Sequence, residues 1–412
     1  MNLKTKSIIT ISVANGLSAM AYGIAIPFFA IYLSAQKNVP AGAIGLMLAL
    51  AMLTTAIASA ISGEVSDTFG RKRVMIYSLV LRFLSMLAMA AAMYLDAHYS
   101  WAMAFHFAGS FTGAFFRPAS NAWIADTTTP QERVKAFGYM RIGLNLGWCI
   151  GPALGGFLAK SSFSLGFALT AFTYLITAVF VQKYIKETLT RENVRHANFV
   201  RMLLDLKDKN LAKLCGYTFI ISMVMAQLVV GLSLHATLRL GMSQNLVGLF
   251  FSLQGLAVVL FQFAVASYTS RIRLTTALGI GCFLYAAGFG SIGFMITFWG
   301  ILLGVVISAL GEMCVLPAGH SLASNLAADN KRGRYLGLYV LANLSGQAAG
   351  IFLAGLLMEK VSPLSPPAPW VIIGMAAVIA GILFLTMKKT VPPEQDGLQP
   401  HQSVPIVKQL PS

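Results

Sequence analysis

Apolar residues fill this chain in long runs separated by short polar punctuation. Twelve runs approach 20 residues, the length a helix needs to cross ~30 Å of hydrocarbon. They fall at roughly 8–33, 41–62, 74–95, 100–125, 136–159, 164–182, 213–237, 243–266, 275–296, 298–325, 335–359 and 369–387. What remains between them is too short for a soluble domain. The pattern predicts an all-α polytopic membrane protein of twelve transmembrane helices.

Composition agrees. The 412 residues are 57% hydrophobic and 11% charged, against about 25% charged in a soluble globule. Mean hydropathy is +0.72. The apolar run after Lys6 is too long for the core of a signal peptide and ends in no small-residue cleavage site, so the first helix is expected to be retained. Cys149, Cys215, Cys282 and Cys314 all fall inside spans, with neither disulfide nor metal-ligand spacing.

Charge changes the picture more than composition does. A net charge of +16 is compatible with nucleic acid, yet 23 of the 30 Lys and Arg sit in segments on one side of the predicted spans. Four (Lys37, Lys160, Arg239 and Lys360) sit on the other, and Arg82, Arg117 and Arg141 lie within spans. This is the positive-inside bias, which places both termini in the cytoplasm and excludes a nucleic-acid reading. The expected location is the inner membrane of a bacterium, with the lipid bilayer as the surrounding partner and a monomer as the working unit.

The chain also repeats itself. At a constant offset of 199 residues Pro118 pairs with Pro317, Gly138 with Gly337, Gly147 with Gly346, Gly151 with Gly350 and Gly156 with Gly355. Two pseudo-symmetric six-helix bundles follow, 1–185 and 213–389, the arrangement of duplicated transporters. The connecting segment 186–212 carries Phe199, Met202, Leu203 and Leu206 at helical spacing among basic residues, which suits either an amphipathic helix on the membrane surface or a solvated linker. The tail 390–412, rich in Pro and Gln, is expected to be disordered.

Between spans 2 and 3 lies Gly63-x-x-x-Asp67-x-x-Gly70-Arg71-Lys72-Arg73-Val74. A short hairpin needs a tight turn, which Gly70 permits, and Asp67 can pair with Arg71 or Arg73. The string resembles the signature of the major facilitator superfamily, its motif A. The resemblance implies two six-helix bundles around a cavity that opens alternately to each side. It also implies that Asp67 and Arg71, with Gly63, Gly70, Arg73 and the acid Asp126 at the end of span 4, form a conformational latch.

In span 5, Gly147, Gly151, Pro152, Gly155 and Gly156 follow small-xxx-small spacing, which permits close helix packing. Read through the same resemblance they match the family's motif C, associated with proton-driven exporters. The family's helix-4 motif begins with Arg, where this chain has His106. That histidine is a candidate for a proton step, its ordinary pKa lying near neutrality, and equally a polar residue near the outer mouth.

Span 10 holds a single acid, Glu312, near its middle. It is the one carboxylate of the chain's 14 acids placed at membrane depth. A carboxyl withdrawn from water favours its neutral form, and intramembrane acids mark ion pathways more often than not. A neutral Glu bonded to a neighbouring helix is the structural alternative. In the repeat register Glu312 falls opposite Gly113, so the acid belongs to the second half alone. Some family exporters that this chain resembles carry an acid in helix 10.

No phosphate-binding loop, nucleophile elbow or metal-ligand spacing is present, so neither an enzyme nor an ATP-driven pump is indicated. No cofactor is called for, and a proton gradient is the expected energy source. Candidate cavity residues are Arg117, Asn121, Asn145, Tyr22, Gln227, Gln254, Asn343 and Gln347, since aromatic and amide walls suit bulky amphiphiles. Arg82 and Arg141 are expected to be structural, one of them pairing with Asp126 or a motif A acid. The resulting expectation is a proton-coupled exporter of amphiphilic or cationic small molecules. A metabolite uptake symporter and a lysolipid or glycolipid flippase are the rivals.

Overall fold

A computed structural model describes residues 3–128, 130–188, 205–327 and 332–397. The first half comprises α1 (Leu3–Ala35), α2 (Ala41–Phe69), α3 (Arg71–Tyr94), α4 (Tyr99–Gly113), α5 (Phe116–Thr127), α6 (Pro130–Ser161) and α7 (Phe163–Tyr184). The second comprises α8 (Lys209–Met225), α9 (Gln244–Thr269), α10 (Leu274–Ile292), α11 (Phe298–Leu326), α12 (Arg332–Leu356) and α13 (Ala368–Thr386). There is no strand among the described residues. Among the described residues eleven helical stretches are long and apolar enough to cross a membrane.

The twelfth expected span, the fourth, is broken. α4 stops at Gly113 and α5 begins at Phe116. Pro118 is the cause: it has no N–H for the carbonyl of Ala114, and its ring crowds that carbonyl. The seventh span is irregular as well. After α8 the chain passes through short 3₁₀, α and π turns as far as Arg239. The Gln227 side chain closes this stretch by donating to the carbonyls of Met223 at 3.1 Å and Gly350 at 2.9 Å. Fully buried, Gln227 therefore splices α8 to α12 and does not line the cavity expected of it.

The helices pair in a repeated pattern. α1 packs along α6 and α3 along α7, as α8 packs along α12 and α10 along α13. The halves meet where α2 packs on α12 and α6 on α9. Close approach on α6 requires glycine: a Cβ at Gly147 or Gly151 would strike the α1 backbone at Gly16 or Met20. One turn further on, a Cβ at Gly156 would meet the carbonyl of Gln244 in the other half at 2.6 Å.

Arg71, Lys72, Arg73, Arg271, Arg273, Lys388 and Lys389 cluster at one end of the molecule, called here the basic end. There α2 and α3 are joined by Gly70 alone, whose φ of 99° lies in the left-handed region that favours glycine. α2 thus runs through Gly63 and Asp67, seven residues beyond its expected end. The side chains at Gly63 and Asp67 lie outside those described, as does most of the 186–212 connector.

The described part of the tail, 390–397, departs from expectation, and 398–412 lie outside the described residues. Residues 390–397 are not disordered but strapped across the basic end of the second half. The Asp396 carboxylate is fully buried. It accepts from the Thr275 N–H at 2.8 Å and the Thr275 hydroxyl at 2.7 Å, and its Oδ2 lies 3.0 Å from Arg273 Nε. The Asn210 side chain donates to Thr390 O, and Asn325 donates to Gln395 O. Composition alone overlooks these partners because each lies on a distant helix.

Candidate functional site

Glu312 stands at the midpoint of α11, half-buried on the face turned toward α9 and α10. Its Oε2 accepts a hydrogen bond from Gln254 Nε2 on α9 at 2.8 Å. Gln254 Oε1 in turn accepts from the Trp148 indole N–H on α6 at 3.1 Å. An indole N–H only donates, so the amide must turn its oxygen to Trp148 and its NH₂ to the carboxyl. The line Trp148–Gln254–Glu312 therefore runs from the first half into the acid of the second.

A pocket of about 140 Å³ opens beside this line, lined by Trp148, Gln254, Tyr285, Ser308, Glu312 and Gln347 among others. Its walls are aromatic and amide, with a single acid. The Trp148 ring continues a column to Tyr22 on α1 at 6.0 Å and Phe251 on α9 at 6.2 Å between centroids. Gln347 donates to Asn343, which donates to Ser222 on α8, so both amides are held in place along α12.

Arg141 on α6 lies within electrostatic reach of Glu312, although the two make no ion pair. Its guanidinium also donates to Gln262 on α9 at 2.6 Å, crossing between the halves. Arg141 is thus not the one of the two arginines, Arg82 and Arg141, to pair with Asp126, which Arg71 contacts instead. The signal in the sequence was spacing: Arg141, Asn145 and Trp148 recur at i, i+4 and i+7, one face of a helix. The glycine stripe faces α1, which leaves this neighbouring face for α9.

Arg117 on α5 and His320 on α11 are exposed although both lie deep in membrane-length sequence. A cation and an imidazole at that depth, one from each half, suit a polar space between the halves better than contact with lipid tails. Away from the basic end the halves are closed, with Gly42 N–H donating to Glu359 at 2.7 Å and Gly45 packed against Gly355. Asn121 and Asn145 are half-buried on α5 and α6.

His106 is not brought to this site. It is 5% exposed and its ring lies 5.0 Å from that of Phe29, inside the first half. Arg82 likewise takes no acid partner among the described residues. Its guanidinium sits over the rings of Tyr174 at 4.7 Å and Tyr22 at 5.7 Å. The latch residues split. Arg71 Nε contacts Asp126 Oδ2 at 3.2 Å and Arg71 also donates to Ser66, all within the first half. Arg73 takes no part in that contact.

A duplicated helical fold of membrane-length spans, with a lone acid in a pocket where the halves meet, has the architecture of alternating-access membrane transporters. Sequence comparison agrees. The profile of the Major Facilitator Superfamily matches residues 11–211 and again 214–410. The chain belongs to that family.

Its relatives include the class B tetracycline resistance protein of Escherichia coli, 28% identical over 412 residues, covering 96% of this chain and 98% of the relative. Multidrug resistance protein 2 of Bacillus subtilis is 27% identical over 86% of this chain and 89% of its own length. Among solved structures, a mutant of the nucleoside transporter NupG superposes with a TM-score of 0.78 at 14% identity, over 94% of this chain and all of that one. A peptide transporter bound to sulfate gives 0.75 at 17%, covering 95% of each chain. At such identities the structural likeness speaks for the fold alone.

Proposed function

We propose that this transporter exports amphiphilic or cationic small molecules from a bacterial cytoplasm in exchange for protons, with the basic end and both termini on the cytoplasmic side. The observation that carries the reading is the position of Glu312, a lone acid beside an aromatic and amide pocket, tied through Gln254 to Trp148 of the first half. The efflux names of the relatives support export, as does the glycine stripe of α6.

In this mechanism Glu312 alternates between two partners. Ionised, it is drawn to Arg141 across the halves or to a cationic substrate in the pocket. Protonated, it gives up that attraction, and the α6–α9–α11 contact favours a different opening of the space between the halves. Substrate and proton thus exclude one another at one carboxyl, which is the requirement for exchange. The rings that line the pocket, Trp148, Tyr285 and Phe289, hold the substrate by shape and apolar contact.

The test uses everted vesicles with a pre-formed acid-inside gradient. Addition of a lipophilic cation such as tetraphenylphosphonium or ethidium should dissipate the gradient with the wild-type chain and not with Glu312→Gln. If the gradient survives in wild type while substrate uptake into intact cells requires external acid, the chain is a symporter. A flippase would instead move a fluorescent lysolipid between leaflets with no pH response.

A further inference from the structure

Three basic residues open α3, and two are already engaged. Arg71 contacts Asp126, and Lys72 Nζ donates to the Gln182 carbonyl at 2.8 Å. Arg73 makes no hydrogen bond or ion pair among the described residues and is exposed. It stands at the polar mouth of a groove of about 360 Å³ between α2, α3 and α4. The remaining walls include Phe69, Tyr77, Leu81, Phe111 and Phe115, of which Phe69 is 63% and Tyr77 66% exposed.

The groove has the dimensions and polarity of one leaflet. Arg73, Tyr77 and Leu81 recur every four residues and so share one face of α3. Eight residues at 1.5 Å rise make the face about 12 Å deep, within the ~15 Å of hydrocarbon in half a bilayer. The cation lies at the basic end, the tyrosine below it at interfacial depth and the leucine deepest, as lipid-facing surfaces are ordered. A free cation above an apolar slot complements a phospholipid that bears net negative charge.

We infer that this groove is a binding site for one anionic phospholipid of the leaflet at the basic end, its phosphate on Arg73 and an acyl chain between α3 and α4. The inference goes beyond the exchange mechanism and shares with it only the orientation of the chain. In that orientation the lipid comes from the cytoplasmic leaflet, where anionic headgroups attract basic side chains. The occupant spans the α2–α3 turn and α4, so it braces the element that carries the Arg71–Asp126 contact.

Delipidated full-length protein titrated with palmitoyl-oleoyl phosphatidylglycerol or phosphatidylcholine, read by native mass spectrometry, tests this without transport. Wild type should retain one phosphatidylglycerol more tightly than phosphatidylcholine. Arg73→Gln should weaken the phosphatidylglycerol adduct about fivefold, the equivalent of about 1 kcal/mol for one basic residue at an anionic surface. Arg73→Lys should keep most of the binding. Leu81→Trp, which fills the exposed slot, should weaken both lipids, and Arg271→Gln at the basic end of the second half should weaken neither. Equal binding by wild type and Arg73→Gln, equal affinity for the two lipids, an equal loss in Arg271→Gln, or an unaffected Leu81→Trp would each overturn the site. Displacement of the lipid by millimolar inorganic phosphate would do so as well, by showing a free-anion site.

Discussion

Gln254 Nε2 donates to Glu312 Oε2 at 2.8 Å, and the same amide's oxygen is committed to the Trp148 indole. The amide cannot flip without leaving the indole unpaired. The acid's protonation state is therefore linked to α6, in the other half, through two hydrogen bonds. Arg141, on the same α6 face, lies within electrostatic reach of the acid without forming an ion pair with it.

Replacement of Glu312 by Gln keeps the side chain's shape and an oxygen for Gln254 while removing the exchangeable proton. Downhill substrate exchange across proteoliposomes should persist within about threefold of wild type, a change of under ~1 kcal/mol. Movement against a substrate gradient should vanish, and the rate should no longer respond to pH. Retained uphill pumping would remove Glu312 from the coupling path.

Gln254→Leu leaves the indole N–H and one carboxyl oxygen without their partner at a buried position. Each loss costs about 1–3 kcal/mol, so proton flux driven by substrate should fall about tenfold or more, with the helical content of the protein unchanged. Trp148→Phe removes only one bond and keeps the ring column, so its loss should be smaller. Equal losses in the two variants would show the ring, and not the hydrogen-bonded line, to be what matters.

Arg141→Lys should preserve the charge within reach of Glu312 and retain most pumping, whereas Arg141→Gln should lose it. Against Glu312→Gln, the Arg141→Gln change should add little, since two residues acting on one event are not additive. Full additivity of the two in a double-mutant cycle, read by initial rates of exchange, would argue that they act separately.

The spans were legible because apolar runs of bilayer length have no other reading, and Glu312 because it stands alone among them. Gly70 was legible as a turn, although α2 continues to within one residue of it. Pairings across the chain were less so. Arg141 reaches Gln262 on α9 only because α6 and α9 cross at Gly156 and Gly248, a tertiary fact that its local sequence hints at through spacing alone. Gln227 looked like a cavity amide, since nothing local shows the irregular turn after Met225 that consumes it. The break at Gly113 follows from Pro118 once the lost Ala114 bond is counted, yet a hydropathy window averages over it.

Substitution of Gly151 by Val should abolish assembly of the first half. Its Cβ direction points into the Met20 carbonyl on α1, backbone that cannot move aside, and β-branching adds further bulk. Detergent-solubilised variant should aggregate on size exclusion. Gly138→Ala on the same helix meets nothing within 4 Å and should elute as wild type. A monodisperse Gly151→Val protein would show that α1 and α6 are not packed as closely as described.

The strap at the end of the chain yields the last expectation. α10 begins after Arg273 with no side-chain cap of its own, and helix starts leave N–H groups that need acceptors. Asp396 fills that role from the tail, taking the Thr275 N–H and hydroxyl and meeting Arg273, while Leu274 N–H donates to its backbone carbonyl at 2.8 Å. A carboxylate with these partners in a site closed to solvent contributes about 1.5–3 kcal/mol by its charged hydrogen bonds. Asp396→Ala removes the acceptor and leaves Arg273 without its counter-charge, so thermal unfolding of the purified protein should shift down clearly. Asp396→Asn keeps one acceptor oxygen and should fall between. Glu394→Ala, two residues away and exposed, should unfold with wild type. Because the strap lies away from Glu312, the Asp396 variants that remain folded should keep the pH response of exchange. Should Asp396→Ala unfold at the wild-type temperature, the tail would be resting on the second half without holding it.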